Sequence, residues 1–199
     1  IKRSKRLWFE NHRWSMISGG HLLVGGKDAK GNDAVVKKHL SGSDIYLHAD
    51  LHGAPSCSLR ATQGFAADQH KPAHIPDDVP AFRLIDKLGD ERITPEKLEE
   101  AATLALGWSR AWAGGGAHGT VYSVKPAQVS KTAQTGEYVG KGAFIVRGQR
   151  QWFKDLDVQI GIGIVAVNGV PLLMGGLPET IRSISVSYNH LTLPTSYSV

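Results

Sequence analysis

One stretch of the chain reads clearly as a packed helix, and it limits what the remainder can fold into. Thr94 is a good N-cap, Pro95 suits the first helical position, and Glu96, Glu99 and Glu100 lie near the positive end of the helix dipole. Leu98, Ala101, Ala102, Ala105, Trp108 and Trp112 follow a helical period, and Gly114-Gly115-Gly116 ends it. The spacing predicts a helix over about 95–113. Its Leu98, Ala102, Ala105 and Trp112 face should be buried, and a face of that kind needs a sheet or other helices to cover it.

The candidates to cover it are strands. TVYSVK, AFIVRG, VQIGIGIVAV and VPLLMGG make the second half β-rich, with turns at Gly148 and at Asn168-Gly169, a strong hairpin signal. RWSMIS and HLLVG around Gly19-Gly20 read as a hairpin with a two-residue turn. DIYLHADLH alternates as a strand does. A short helix is expected over about 29–40, weakened by Gly31, and a last one from Pro178-Glu179. From about Thr62 to Ile93 no period persists among the Pro, Asp and His residues, so this segment reads as an acidic loop or insertion. The final stretch 185–199 has no charge and no helical period, and is expected to be a disordered or non-native tail. The fold class that follows is α+β: a single domain with a mostly antiparallel sheet and one long helix packed on it.

Charge says more by its placement than by its sum. Lysine and arginine number 23 against 18 acidic residues, for a net charge of +5. The cations fall in three blocks: Lys2 to Arg13, Lys27 to His39, and Lys125 to Lys154. The span from Asp68 to Glu100 is net acidic. Segregation of this kind is what a phosphate-binding face requires, although scattered solvated lysines give a similar count. Trp8, Phe9, Trp14, Tyr138, Phe144, Trp152 and Phe153 lie in or beside the basic blocks, which allows base stacking beside phosphate neutralisation. Some of these rings are expected to be plain core.

Catalytic patterns are weak. His48, Asp50 and His52 would project from one face of a strand, which suggests a metal-dependent hydrolase, but ligands at period two are crowded for a tetrahedral site. Ser130-Lys131-Thr132 has the residue types of a Ser–Lys hydrolase without a second element to form an oxyanion hole. Gly136 to Lys141 fails the P-loop spacing, and Gly161-x-Gly163 is followed by Ala166 and no helix. The expectation is a chain without catalysis, cofactor or metal. No apolar run approaches the roughly 20 residues of a membrane helix. Cys57 is the single cysteine, which excludes an intrachain disulfide and suits a reducing, cytoplasmic setting. Ile1 in place of a start methionine suggests a piece of a longer protein.

Four longer blocks carry a more specific signal: WFENHRW, GGKDAKGNDAVVKKHL, DIYLHADLHGAPS and QVSKTAQTGEYVGKGAFIVRG. Together, and in this order, they resemble the NFACT-R domain of the NFACT (RqcH/NEMF-like) family of ribosome-associated quality control, and details look most like its archaeal branch. The resemblance covers about residues 7–184, with 1–6 as the end of a preceding coiled coil or linker. It departs at the longer 62–93 segment, at Gln134 in place of a proline, and in the last fifteen residues.

The resemblance implies an RNA-binding domain whose partners are tRNA, the obstructed large ribosomal subunit and the remaining NFACT domains, acting during untemplated C-terminal tailing. Candidate RNA-binding residues are Trp8, Arg13, Lys37, Lys38, His48, Asp50, His52, Ser130, Lys131, Thr132, Glu137, Tyr138, Lys141 and Arg147. Lys131 and Arg147 are expected to contact phosphate. Other readings remain: a general nucleic-acid module that also takes DNA, a protein-docking module using the acidic insertion, and the hydrolase above.

Overall fold

A computed structural model of the chain describes residues 5–85, 92–133, 138–185 and 188–192. A 3-10 turn at Trp8–Asn11 leads into β1 (Arg13–Met16), β2 (His21–Gly25), α1 (Ala29–Lys38), β3 (Ile45–Ala49), β4 (Cys57–Ala67) and β5 (Ala81–Ile85). There follow α2 (Pro95–Gly107), β6 (His118–Val124), β7 (Val129–Ser130), β8 (Ile145–Val146), β9 (Gln151–Asp157), β10 (Gln159–Val167), β11 (Val170–Gly176), α3 (Pro178–Ile184) and β12 (Tyr188–Thr192). The fold is α+β. The main sheet runs β11-β10-β5-β4-β3-β6-β9, with β2 also on β4, β1 on β2 and β12 on β10. Its pairings are antiparallel except that of β10 with β5. β7 and β8 form a separate ribbon. Among the described residues, no helix is long and apolar enough to cross a membrane.

The helix signal holds at its start and shortens at its end. Thr94 Oγ1 accepts the Lys97 N–H at 3.4 Å, and α2 stops at Gly107 rather than near residue 113. The chain then turns at Ser109, whose Oγ accepts the Ala111 N–H, into a 3-10 turn over Arg110–Gly114. Trp112 folds back so that its Nε1 donates to the Gly107 carbonyl at 2.7 Å, satisfying one of the orphaned groups of the helix terminus. Trp112 is thus half-buried, whereas every residue from Ala101 to Gly107 is buried. Gly107 is required there: a Cβ would stand 2.6 Å from the Gln159 carbonyl oxygen.

α2 covers one face of the central strands. Leu98, Leu104 and Leu106 pack with Leu47, Ala49, Leu59, Val121 and Leu156 in the main core. Each such leucine contributes about 2 kcal/mol of transfer free energy, an upper figure because unfolded chains are themselves partly compact. A second core lies around Phe9, Met16, Leu22, Phe65, Val167, Met174 and Ile181. There the Met16 N–H donates to Met174 Sδ at 3.2 Å, joining β1 to β11.

Several sequence expectations need correction. The 62–93 segment is not a loop throughout: β4 continues to Ala67 and returns as β5, with Phe65 opposite Leu84. The two strands are separated by a Pro- and Asp-rich turn that hides their short alternation. β1 and β2 are joined through Ile17 to Gly20, of which the three residues Ser18 to Gly20 lie inside the Ile17–His21 pair, with Gly19 and Gly20 at φ 77° and 79°. The Ile17 N–H donates to the His21 carbonyl across this turn, so the turn is one residue longer than expected. α1 ends at Lys38 rather than at residue 40, and only Ile145–Val146 of AFIVRG pairs as strand. β9 was not expected at all, because its burial follows no steady alternation and Asp155 breaks it at φ 54°. Within the final fifteen residues, Tyr188–Thr192 pairs with β10 as β12. The Asn168-Gly169 hairpin forms as read, with φ of 49° and 74°.

A histidine pair sits between α1 and the N-terminal turn. His39 stacks on Trp8 at 4.2 Å between centroids and 19° between planes, and His12 lies 5.1 Å from His39. Burial holds both rings below the ordinary imidazole range, His39 at about 4. The His12 Nδ1 is buried without a hydrogen-bond partner. Nearby, Arg60 Nε stands 3.0 Å from the buried Asp44 Oδ2, in ion-pair contact without hydrogen-bond alignment.

Because both folded-state values are depressed, the rings cost no stability above about pH 6.5, where they are neutral folded or unfolded. Between pH 6.5 and 4 the unfolded chain takes up the protons first and stability falls. His39→Phe keeps the stack and removes one titration. Urea unfolding at pH 7 and pH 4.5 should show a loss smaller by about 1–2 kcal/mol in the variant than in the unaltered chain; equal losses would exclude His39 as a source.

Candidate nucleic-acid interface

Strand alternation determines what faces away from α2. Ile45, Leu47 and Ala49 of β3 pack toward the helix core, so Tyr46 and His48 point to the opposite face. In the same way Val121 faces α2 and Tyr122 does not. The registers place His48 opposite Tyr122, and Tyr122 opposite Trp152. The result is a cross-strand row with centroids 5.8 Å apart for His48–Tyr122 and 5.4 Å for Tyr122–Trp152. The Arg150 guanidinium lies 4.7 Å from the Tyr122 ring and 5.7 Å from that of Trp152. Tyr122 is buried beneath its neighbours, while Trp152 is 41% exposed.

Beside this row is a cleft of about 720 Å³. Its walls come from the Gly26–Ala29 turn before α1, the turn after β3, the residues after α2, and the loop between β7 and β8. Arg13, Lys27, Arg110 and Lys141 line it together with His48 and His52. Asp28 is the single acidic residue of the lining, and its Oδ1 already accepts the Gly31 N–H at 2.7 Å as the cap of α1. Four cations therefore surround the cleft against one engaged carboxylate. Arg13 Nη1 donates to the Gly26 carbonyl, which ties it to the turn. Gly53, at φ 75°, would bring a Cβ within 3.4 Å of Arg110 Nε, so the β3 turn and Arg110 are packed together.

His48 is held in one tautomer. Its Nδ1 lies 3.0 Å from the Pro55 carbonyl oxygen, which only accepts, so Nδ1 must donate. Burial pushes its pKa down, so the ring is neutral at pH 7 and Nε2 is an acceptor. The Cys57 thiol is fully buried and pushed up to about 12, which removes it as a nucleophile.

The loop between β7 and β8 is pinned to α1. Lys131 Nζ donates to Asp33 Oδ1 at 2.8 Å, to the Gly140 carbonyl at 3.1 Å and to the Ala143 carbonyl at 3.0 Å. It also stands 4.6 Å from the Phe144 ring. Asp33 Oδ1 further accepts the Gly142 N–H at 3.2 Å, and the hydrogen bond from Lys131 holds its carboxyl below the ordinary range. Gly142, at φ 74°, leaves no room for a side chain, since a Cβ would meet Ala29 Cα at 2.5 Å.

The candidate residues therefore divide. Arg13, His48, His52 and Lys141 meet in the cleft. Lys131, named for phosphate, directs its three N–H donors inward. Trp8 stacks on His39 rather than standing open. Ser130 Oγ accepts the Thr132 N–H, and Arg147 Nη2 donates to the Thr132 carbonyl at 3.5 Å, both within the β7–β8 ribbon. Tyr138 is 94% exposed. Lys37 and Lys38 are exposed on the last turn of α1. Glu137 lies outside the described residues.

β3 ends at Ala49 and the chain turns through Leu51, whose N–H donates to the Ala49 carbonyl. His48, Asp50 and His52 thus do not share a strand face. Among the described residues, no group of three or more His, Cys, Asp or Glu is placed to hold a metal ion. Lys27, Arg110, Tyr122 and Arg150 were not among the RNA-binding candidates, whereas Trp152 is one of the rings the sequence offers for base stacking. Alternation in TVYSVK points to Tyr122, but nothing in the sequence brings Arg110 to Gly53.

An α+β domain with a cationic cleft beside an aromatic row has the features of a nucleic-acid-binding module. The family model of the NFACT protein RNA binding domain matches residues 5–148, and the chain belongs to that family. It is 32% identical to the archaeal Rqc2 homolog aRqcH of Methanocaldococcus jannaschii, over 94% of this chain and 24% of that protein. It is 34% identical to the human ribosome quality control complex subunit NEMF, over 82% of this chain and 13% of that protein. The chain thus spans a quarter or less of these relatives. The C-terminal part of the fibronectin/fibrinogen-binding protein of Streptococcus suis superposes with a TM-score of 0.49 at 18% identity, over 93% of this chain and 52% of that one.

Removing the pin should loosen the loop rather than the fold. Lys131→Met is expected to speed amide exchange at Gly142 and Ala143 by about tenfold or more while costing only about 1 kcal/mol of global stability. Unchanged exchange at both amides would show that the pin does not hold the loop.

Proposed function

We propose that the chain is the RNA-contacting module of a ribosome quality control factor. Its ligands are tRNA and the RNA of the obstructed large ribosomal subunit, bound in the cytoplasm during untemplated C-terminal tailing of stalled chains. The remaining NFACT domains act beside it, and the chain contributes binding rather than catalysis. The observation that carries this reading is the charge of the cleft: Arg13, Lys27, Arg110 and Lys141 face it with no unengaged carboxylate among the lining residues. Such a surface takes phosphate with release of counterions. Neutral His48 and the adjoining aromatic row add contacts that pure charge neutralisation does not need. The family and the printed names of the relatives support the same reading.

A second reading, general nucleic-acid binding that includes DNA, rests on the same cations. Binding to tRNA and to duplex DNA of similar length across a salt series separates the two. Tighter tRNA binding that survives moderate salt is expected; equal and equally salt-dependent binding would favour the general module. Arg110→Gln and Lys141→Gln should each weaken tRNA binding and reduce the salt slope by about one unit. If affinity and slope stay unchanged in both variants, the cleft is not the RNA face.

A further inference from the structure

The cleft and the aromatic row together suit something narrower than an RNA backbone. A duplex presents phosphates and stacked, paired bases, and contacts to it are mostly electrostatic. Trp152 is a large ring left 41% exposed at the end of a packed row, with the Arg150 guanidinium beside it over Tyr122. An exposed indole and a guanidinium plane are surfaces on which an unstacked base settles. His48 makes the same distinction. With Nδ1 engaged at the Pro55 carbonyl, Nε2 is an acceptor, and a phosphate diester has no hydrogen to give it. A ribose hydroxyl or a base N–H does. His48 and Tyr122 belong both to the row and to the lining of the cationic cleft, so the two parts adjoin.

We propose that this site takes up a single unpaired RNA nucleotide, with its base against Trp152 and Arg150, its sugar or base edge at His48 Nε2, and its phosphate among Lys27, Arg110 and Lys141. The inference rests on the RNA-binding reading above and adds what the RNA must offer: a bulged, looped or terminal nucleotide rather than a continuous helix.

Two RNA duplexes of equal length and charge test it, one fully paired and one with a single bulged 2-aminopurine. The bulged RNA is expected to bind about tenfold more tightly, as stacking of one base allows. Its fluorescence should be quenched on binding. In Trp152→Ala the ratio of the two affinities should fall to about one, and in Trp152→Phe most of it should return. Equal binding of the two RNAs by the unaltered chain, or an undiminished ratio in Trp152→Ala, overturns the proposal while leaving RNA binding intact. If neither RNA binds, the RNA-binding reading itself is removed, so the two failures are distinguishable.

Discussion

The packing of α2 on β3 and β6 decides which side chains of these strands remain for the other face. Alternation allows each strand two faces, and a nearly all-apolar helix surface from Leu98 to Leu106 claims one of them. Leu47, Ala49 and Val121 go to that core, and His48 and Tyr122 are displaced to the opposite side as a consequence. Because a shift of register by one residue would exchange the two sets, the apolar contacts with α2 also hold the His48–Tyr122–Trp152 row in line. The aromatic row is in this sense a by-product of the core.

The electrostatic arrangement depends on the same economy of positions. The cations of the cleft come from four separate segments, and their convergence is tolerated because the cleft is open to solvent, which screens them. Lysine at 131 behaves differently from lysine at 141 although ten residues separate them. The first is spent on Asp33 and two carbonyls and so shapes the loop; the second is exposed at the cleft. Loss of charge at either position is equal in a count of basic residues and unequal in its consequence. The inward-turned histidines show the reverse case: His12 and His39 lie in a basic segment, yet burial keeps them neutral and they contribute packing rather than charge.

Membership of the NFACT RNA-binding family and the structure meet at the loop between β7 and β8. The block QVSKTAQTGEYVGKGAFIVRG, which carries much of the family resemblance, supplies the Lys131 pin, the Gly142 approach to α1 and the Lys141 cation. Much of what is specific in that block therefore serves to seat the loop, and a smaller part faces the cleft. The aromatic end of the site, Arg150 and Trp152, lies just beyond the residues matched by the family model.

The sequence by itself determined the fold class, the start of α2, the Asn168-Gly169 hairpin and the basic character of the chain, because caps, turn residues and charge act over a few neighbouring positions. It also pointed to Arg13, His48, His52 and Lys141 through motif blocks. It misplaced the end of α2, which depends on Trp112 folding back, and it missed β4 to β5 and β9, which are held by partners far along the chain. Only the tertiary structure brought Arg110 to the turn after β3, lined up Tyr122 with Trp152, and turned Lys131 inward. Each of these depends on which strands pair and which surfaces touch, and such contacts between distant segments leave no period in the sequence to read.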